Sequence, residues 1–198
     1  MCRYVEYFLQ SRNPKPFPSS EFPSITALCE AVLRRFSQKS LLRTHEPSAS
    51  STPEFKFHEE WYRAFNCLVG RGVALSSEWS FAGEGCVDFR IKERGWGIEI
   101  VRDGDRLDEH CEWFLPVGSY NGWVSESILK DWLILDFRHS VPKRYGMIPS
   151  PSGEIKANSL SGAESTKLWR VIFKEDHSSA HVLNCDNEVI VPEFPLLD

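Results

Sequence analysis

Residues 83–104 read GEGCVDFRIKERGWGIEIVRDG, with apolar residues alternating on both sides of a charged break. Val87, Phe89 and Ile91 precede Lys92-Glu93-Arg94-Gly95, and Trp96, Ile98 and Ile100 follow it. A period of two gives each strand one apolar face, and a short glycine-bearing turn joins two such strands into a hairpin. With Ile91 opposite Trp96, Asp88 falls opposite Glu99, away from the apolar face. Directly opposed side chains on adjacent strands have Cβ atoms about 4.5–5.5 Å apart, where like charges destabilise the sheet. The pair therefore needs neutralising. A divalent cation shared by both carboxylates is one answer; Arg90, on the same face as Asp88, is another.

Around this hairpin the chain alternates helical and strand patterns. After a Pro/Ser-rich stretch (11–23), Ile25, Leu28, Cys29, Val32 and Phe36 recur at helical spacing, predicting an amphipathic helix that ends near Ser40. THEPSASSTP (44–53) has the composition of a linker, so the expected division is a helical N-terminal extension (1–50) and a main domain (51–198). Phe57, Trp61, Phe65 and Leu68 predict a second helix over 54–69. Strand patterns cover 73–75, 79–81, 87–91 and 96–102. A third helix is expected between Asp103 and Pro116, with a shorter one at 121–130, and 132–137 reads as a strand. Residues 139–167 read as a long loop, and strands return at 168–173, 181–183 and 188–191, the last two as a hairpin. Strands interleaved with helices predict an α/β domain.

The 198 residues are enough to bury a substantial core, and 41% hydrophobic with 26% charged residues excludes general disorder. No apolar run approaches the roughly 18 residues that span a bilayer, and the N-terminus lacks the continuous apolar segment of a secretory signal. Six cysteines without a C-x-x-C pair suit reduced thiols, so the expected setting is intracellular, nucleus or cytoplasm. The net charge of −5 is uneven: residues 1–50 hold seven Lys/Arg against four Asp/Glu, leaving −8 for the rest. An acidic domain gains no long-range steering toward nucleic acid, so any such role has to rest on a local site or on the basic N-terminal piece.

The helix bearing Glu60, the strand with Val87-Asp88 and the strand with Glu99 resemble the core of the PD-(D/E)XK restriction-endonuclease superfamily. More narrowly, EEWYRAF, GCVDFRI, WGIEIVRDG followed by LDEHCEWF, and LILDFRHSVP resemble the nuclease-like module of fungal relatives of Crinkler effectors, over about residues 54–192. The resemblance implies a restriction-endonuclease-like mixed sheet flanked by helices. It also implies Mg²⁺ (or Mn²⁺) held by Asp88 and Glu99 with Glu60 in support, and phosphodiester hydrolysis on DNA or RNA. Such modules sit beside nucleotide-hydrolysing domains, so a protein partner or a domain of that kind is implied as well as nucleic acid.

The sequence departs from the motif at its lysine. E-x-K would place it at 101, where this chain has Val101, and Arg102 lies one step further, on the opposite strand face. Arginine does not readily lose a proton, so Arg102 and Arg90 are candidates for stabilising phosphoryl charge rather than for general base. His110, with Glu109 beside it, is a secondary candidate for orienting water or moving a proton, although its helical position beside Leu107 and Phe114 also suits a partly buried, hydrogen-bonded histidine. Asp136 and Arg138 match the D-F-R strand of the resemblance, where Asp136 also suits the anchoring of a loop. The tryptophans are expected mostly in the core, a base-stacking platform being the alternative use. Two functions follow: a Mg²⁺-dependent nuclease, or a catalytically inactive interaction module that has kept the nuclease fold and lost the lysine.

Overall fold

Helix α3 (Phe55–Val69) follows from its stripe: Phe57, Trp61, Ala64 and Phe65 are spaced to share one face, and all four are buried. In the computed structural model, which describes residues 14–43, 55–81, 84–142 and 166–198, that face lies on a seven-stranded mixed sheet. The strands, in spatial and sequence order, are β1 (Leu75–Phe81), β2 (Glu84–Ile91), β3 (Trp96–Arg102), β4 (Asp131–Arg138), β5 (Leu168–Phe173), β6 (Ser179–Leu183) and β7 (Val189–Pro195). Strands β1, β2 and β3 form an antiparallel meander. Pairing is then parallel from β3 to β5 and antiparallel again through β6 and β7.

The expected hairpin register is observed, with Ile91 opposite Trp96, Arg90 opposite Gly97 and Phe89 opposite Ile98. Gly95 closes the turn at φ 64°, a left-handed conformation that costs glycine least, and its N–H bonds the Ile91 carbonyl at 2.9 Å. The runs 73–75 and 79–81 turn out to be one strand rather than two. Cross-strand pairing with β2 carries the backbone through the polar residues between them, and only Leu75–Phe81 is extended.

The parallel step from β3 to β4 requires a crossover, supplied by short helices α4 (Leu107–Trp113) and α5 (Asn121–Ser125). Both are shorter than their sequence patterns. Asp103 and Arg106 take left-handed φ of 52° and 49°, delaying the start of α4, and Ser127 at φ 59° follows α5. These helices cover one sheet face with Leu107, Cys111, Phe114, Tyr120 and Trp123 against Val101, Trp132 and Ile134. The opposite face carries Ile98, Ile100, Leu133, Leu135, Phe137, Val171 and Phe173 beneath α3. With both faces covered, every residue of β3 from Trp96 to Val101 is buried.

The N-terminal stretch belongs to this second core. Ser24 caps α1 (Ile25–Leu33) by accepting the Ala27 N–H, and Ile25, Leu28, Cys29 and Val32 are buried with the sheet residues. The helix expected to reach Ser40 ends at Leu33, and Ser37 caps a separate short helix, α2 (Gln38–Leu42). Phe36 lies between, fully buried, with its ring 5.8 Å from Phe137 and 6.3 Å from Phe173. The C-terminal strand's continuation meets the segment between α1 and α2: Leu197 N–H donates to the Phe36 carbonyl and Gln38 N–H to that of Leu197. The expected extension, as far as residues 14–43 describe it, thus shares one hydrophobic core with the main domain. The linker 44–53, and most of the loop 139–167, lie outside the described residues.

Candidate functional site

One step beyond the last ladder pair of the hairpin, Asp88 and Glu99 stand side by side on β2 and β3. They do not present two free carboxylates to a common point. Asp88 N–H donates to Glu99 Oε2 at 3.2 Å, and Ile100 N–H donates to Asp88 Oδ2 at 2.7 Å. Each side chain thereby takes over a main-chain donor where the ladder stops.

The two carboxylates then reach to opposite layers. Asp88 Oδ2 is 3.5 Å from His58 Nε2 on α3, while Glu99 Oε1 is 3.1 Å from His110 Nδ1 on α4. Glu99 is only 2% exposed, because α4 and α5 cover the face it occupies. The His110 ring packs 4.2 Å from that of Trp113. Burial pushes the Tyr120 phenol up, with Glu99 the next contributor, and its O–H donates to the Cys86 carbonyl at 2.7 Å. Burial also lowers the His58 pKa to about 4, opposed by Glu78, so the histidine beside Asp88 is neutral near pH 7.

The other expected site residues disperse. Glu60 is buried on α3, but its carboxylate faces the N-terminal segment: Oε1 accepts the Ser37 N–H at 2.5 Å, and Arg63 grips both oxygens at 2.6 and 2.8 Å. It therefore clamps α2 to α3 and does not support the Asp88–Glu99 pair. Arg90 lies 4.2 Å above the Trp79 ring and donates to the Ile128 carbonyl, so it does not neutralise either carboxylate. Arg102 falls on the face opposite Glu99, as alternation requires, and pairs with Asp103 at 3.2 Å. Val101, at the lysine position, is 1% exposed within the apolar layer under α4. Glu109 is exposed and pairs with Arg106. Asp136 anchors a loop: it accepts the Gly104 N–H at 2.9 Å and pairs with Arg138 at 2.5 Å. Gly104 has φ 72°, a left-handed conformation that glycine adopts at least cost, and a Cβ there would lie 2.0 Å from Arg138 Nη2 and displace the guanidinium from its place beside Asp136.

The donor set does not suit the Mg²⁺ or Mn²⁺ that the family resemblance implies. Such an ion takes oxygen ligands and keeps several waters, which needs an open cluster of carboxylates. Here Glu99 is buried with a donor on each oxygen, Asp88 holds a main-chain N–H, and Glu60 is bound elsewhere. Among the described residues no three His, Cys, Asp or Glu side chains gather as a metal-holding group. His58 is the participant that the motif reading missed. Its position on α3, one turn before the buried Trp61, marks it only as part-buried, and the contact with Asp88 depends on packing.

Comparison of the chain with family models, curated proteins and solved structures finds no match. No helix among the described residues is long and apolar enough to cross a membrane.

Proposed function

We propose that this chain is a restriction-endonuclease-like domain that acts as a non-catalytic interaction module, the alternative to the nuclease that the resemblance to Crinkler-type fungal modules implies. The order α3-β1-β2-β3-α4/α5-β4, a helix, an antiparallel meander and a helical crossover into a parallel strand, supports the architectural part of this reading. The observation that carries the functional part is the engagement of Glu99, held by His110 on one oxygen and by Asp88 N–H on the other at 2% exposure. A carboxylate so placed serves as a structural joint between two strands and α4. Val101 stands in place of the lysine, and the imidazole nearest the pair's buried member, His110, is already engaged by Glu99 Oε1. The partner chemistry that fits is a basic protein surface, since residues 51–198 carry a net charge of −8.

A plasmid-nicking assay with Mg²⁺ or Mn²⁺ tests this reading on the full chain and its Asp88→Ala and Glu99→Ala variants. Equal background cleavage in all three is the expected result. Metal-dependent nicking by the wild type that disappears in both variants would overturn it and favour the nuclease.

A further inference from the structure

Side-chain alternation carries a different set of groups to the carboxyl ends of the parallel strands, on the face covered by α3. Arg102 continues the row Ile98, Ile100 at the end of β3, and His139 continues the row Leu135, Phe137 just past β4. Phe173 ends β5, and the turn that follows brings His177 back over it. The rings of His177 and Phe173 lie 5.5 Å apart, and those of His177 and His139 4.7 Å apart. Lys56 enters from the first turn of α3. In open α/β sheets, ligands settle outside the carboxyl ends of parallel strands.

His177 has the features of a group built to meet something. Its backbone is left-handed at φ 52°, a conformation unfavourable for a non-glycine residue. Its Nδ1 is buried without a hydrogen-bond partner among the described residues. Its charged form is disfavoured by burial first and then by His139, Lys56 and Arg102, with Asp176 opposing, so its pKa is lowered to about 4. The nearby carboxylates are partly committed: Asp103 to Arg102, Asp176 to the Ser178 N–H, Asp136 to Arg138, and Glu193 to Lys174. Lys56 also lines a cleft of about 280 Å³ between α2 and α3, together with Ser40, Arg43, Glu59, Glu60 and Arg63, and Glu60 there is bound by Arg63.

We propose that Lys56, Arg102, His139 and His177 form a binding site for a phosphate dianion, either free phosphate or the terminal phosphate of a small phosphomonoester, with the adjoining cleft receiving the rest of the ligand. A dianion would add counter-charge to a cluster in which Asp103 pairs with Arg102 and Asp176 alone opposes the cations around His177, and it would accept hydrogen bonds from imidazole and cationic donors. A compact dianion suits the site better than a nucleic-acid strand, because a chain of net charge −5 does not attract a polyanion. Binding of a dianion favours the protonated form of His177, so the His177 titration moves upward when the ligand is bound.

The test is an NMR titration of the histidine ring resonances of the full-length protein with inorganic phosphate, with a nucleoside 5′-monophosphate, and with an oligonucleotide lacking terminal phosphates. The expected result is a saturable shift of His177 and His139 with the first two ligands and an upward move of the His177 titration. Tighter binding of the nucleotide assigns the cleft to the rest of the ligand; equal binding assigns the site to free phosphate. Lys56→Ala and Arg102→Ala should each weaken binding by at least about fivefold. His177→Asn, which tolerates the left-handed backbone, should weaken phosphate binding. No His177 shift in the wild type with either phosphate ligand, unchanged affinity in folded Lys56→Ala and Arg102→Ala, or preferential binding of the oligonucleotide would each overturn the proposal. The wild-type titration decides the matter even where a variant fails to fold.

Discussion

Asp88 and Glu99 bind across their two strands, the main-chain N–H of Asp88 donating to Glu99 Oε2 while the Asp88 carboxylate accepts the N–H of Ile100. Two like charges at adjacent strand positions are thus reconciled by main-chain donors and by His110, which meets Glu99 Oε1. The arrangement makes both residues part of the framework. Asp88→Ala should cost about 1–3 kcal/mol by leaving the Ile100 N–H without its acceptor. In a chain of this size each kcal/mol lowers Tm by roughly 2–4 °C. Thermal melts with and without Mg²⁺ check this: the loss should appear in both, and stabilisation of the wild type alone by Mg²⁺ would restore the metal reading.

Val101→Lys rebuilds the missing E-x-K spacing. Because Val101 is 1% exposed among apolar side chains, and its register neighbour Asp136 is already held by Arg138 and Gly104, the new ammonium meets no free counter-charge. The expected cost is roughly 3–5 kcal/mol, as for an uncompensated buried charge, with no gain of nicking. Urea unfolding and the plasmid assay on the same preparation give both readouts.

Stability should fall in acid through His58. Its pKa is about 4 in the folded chain and near ~6.5 when unfolded, so the unfolded state binds the extra proton. The contribution is complete above about pH 6.5, declines toward about pH 4 and is constant below that, a loss on the order of 1–3 kcal/mol. His58→Gln should flatten this part of the profile in urea melts at about pH 7 and about pH 5. An unchanged slope would show that His58 is free to charge in the fold.

The N-terminal segment should be indispensable to folding. Phe36→Ala removes a fully buried ring from the junction with Phe137 and Phe173, at about 3–5 kcal/mol. Deleting residues 1–43 should expose the face of the sheet and α3 that α1 covers, and the shortened chain should aggregate or lose its cooperative melt. A soluble, cooperatively melting chain of residues 44–198 would show that the segment is dispensable.

The alternation around Lys92-Glu93-Arg94-Gly95 determined the β2–β3 hairpin, its register and the adjacency of Asp88 to Glu99, because those depend on a period of two and a turn. The stripe of Phe57, Trp61 and Phe65 likewise determined α3, and the helical spacing from Ile25 determined the buried face of α1, though not its end. Tertiary structure decided what these elements meet. Short-range pattern cannot tell which helix covers which sheet face, so it could not show that Glu99 would be buried under α4 with His110. Nor could it place Glu60 against Ser37, or bring His58 to Asp88. The ends of α4 and α5 depend on left-handed residues such as Arg106 and Ser127, whose conformations are imposed by the crossover. The meeting of Arg102, Lys56, His139 and His177 joins positions 56 to 177, and only the stacking of parallel strand ends beside α3 brings residues so distant in the chain into one electrostatic environment.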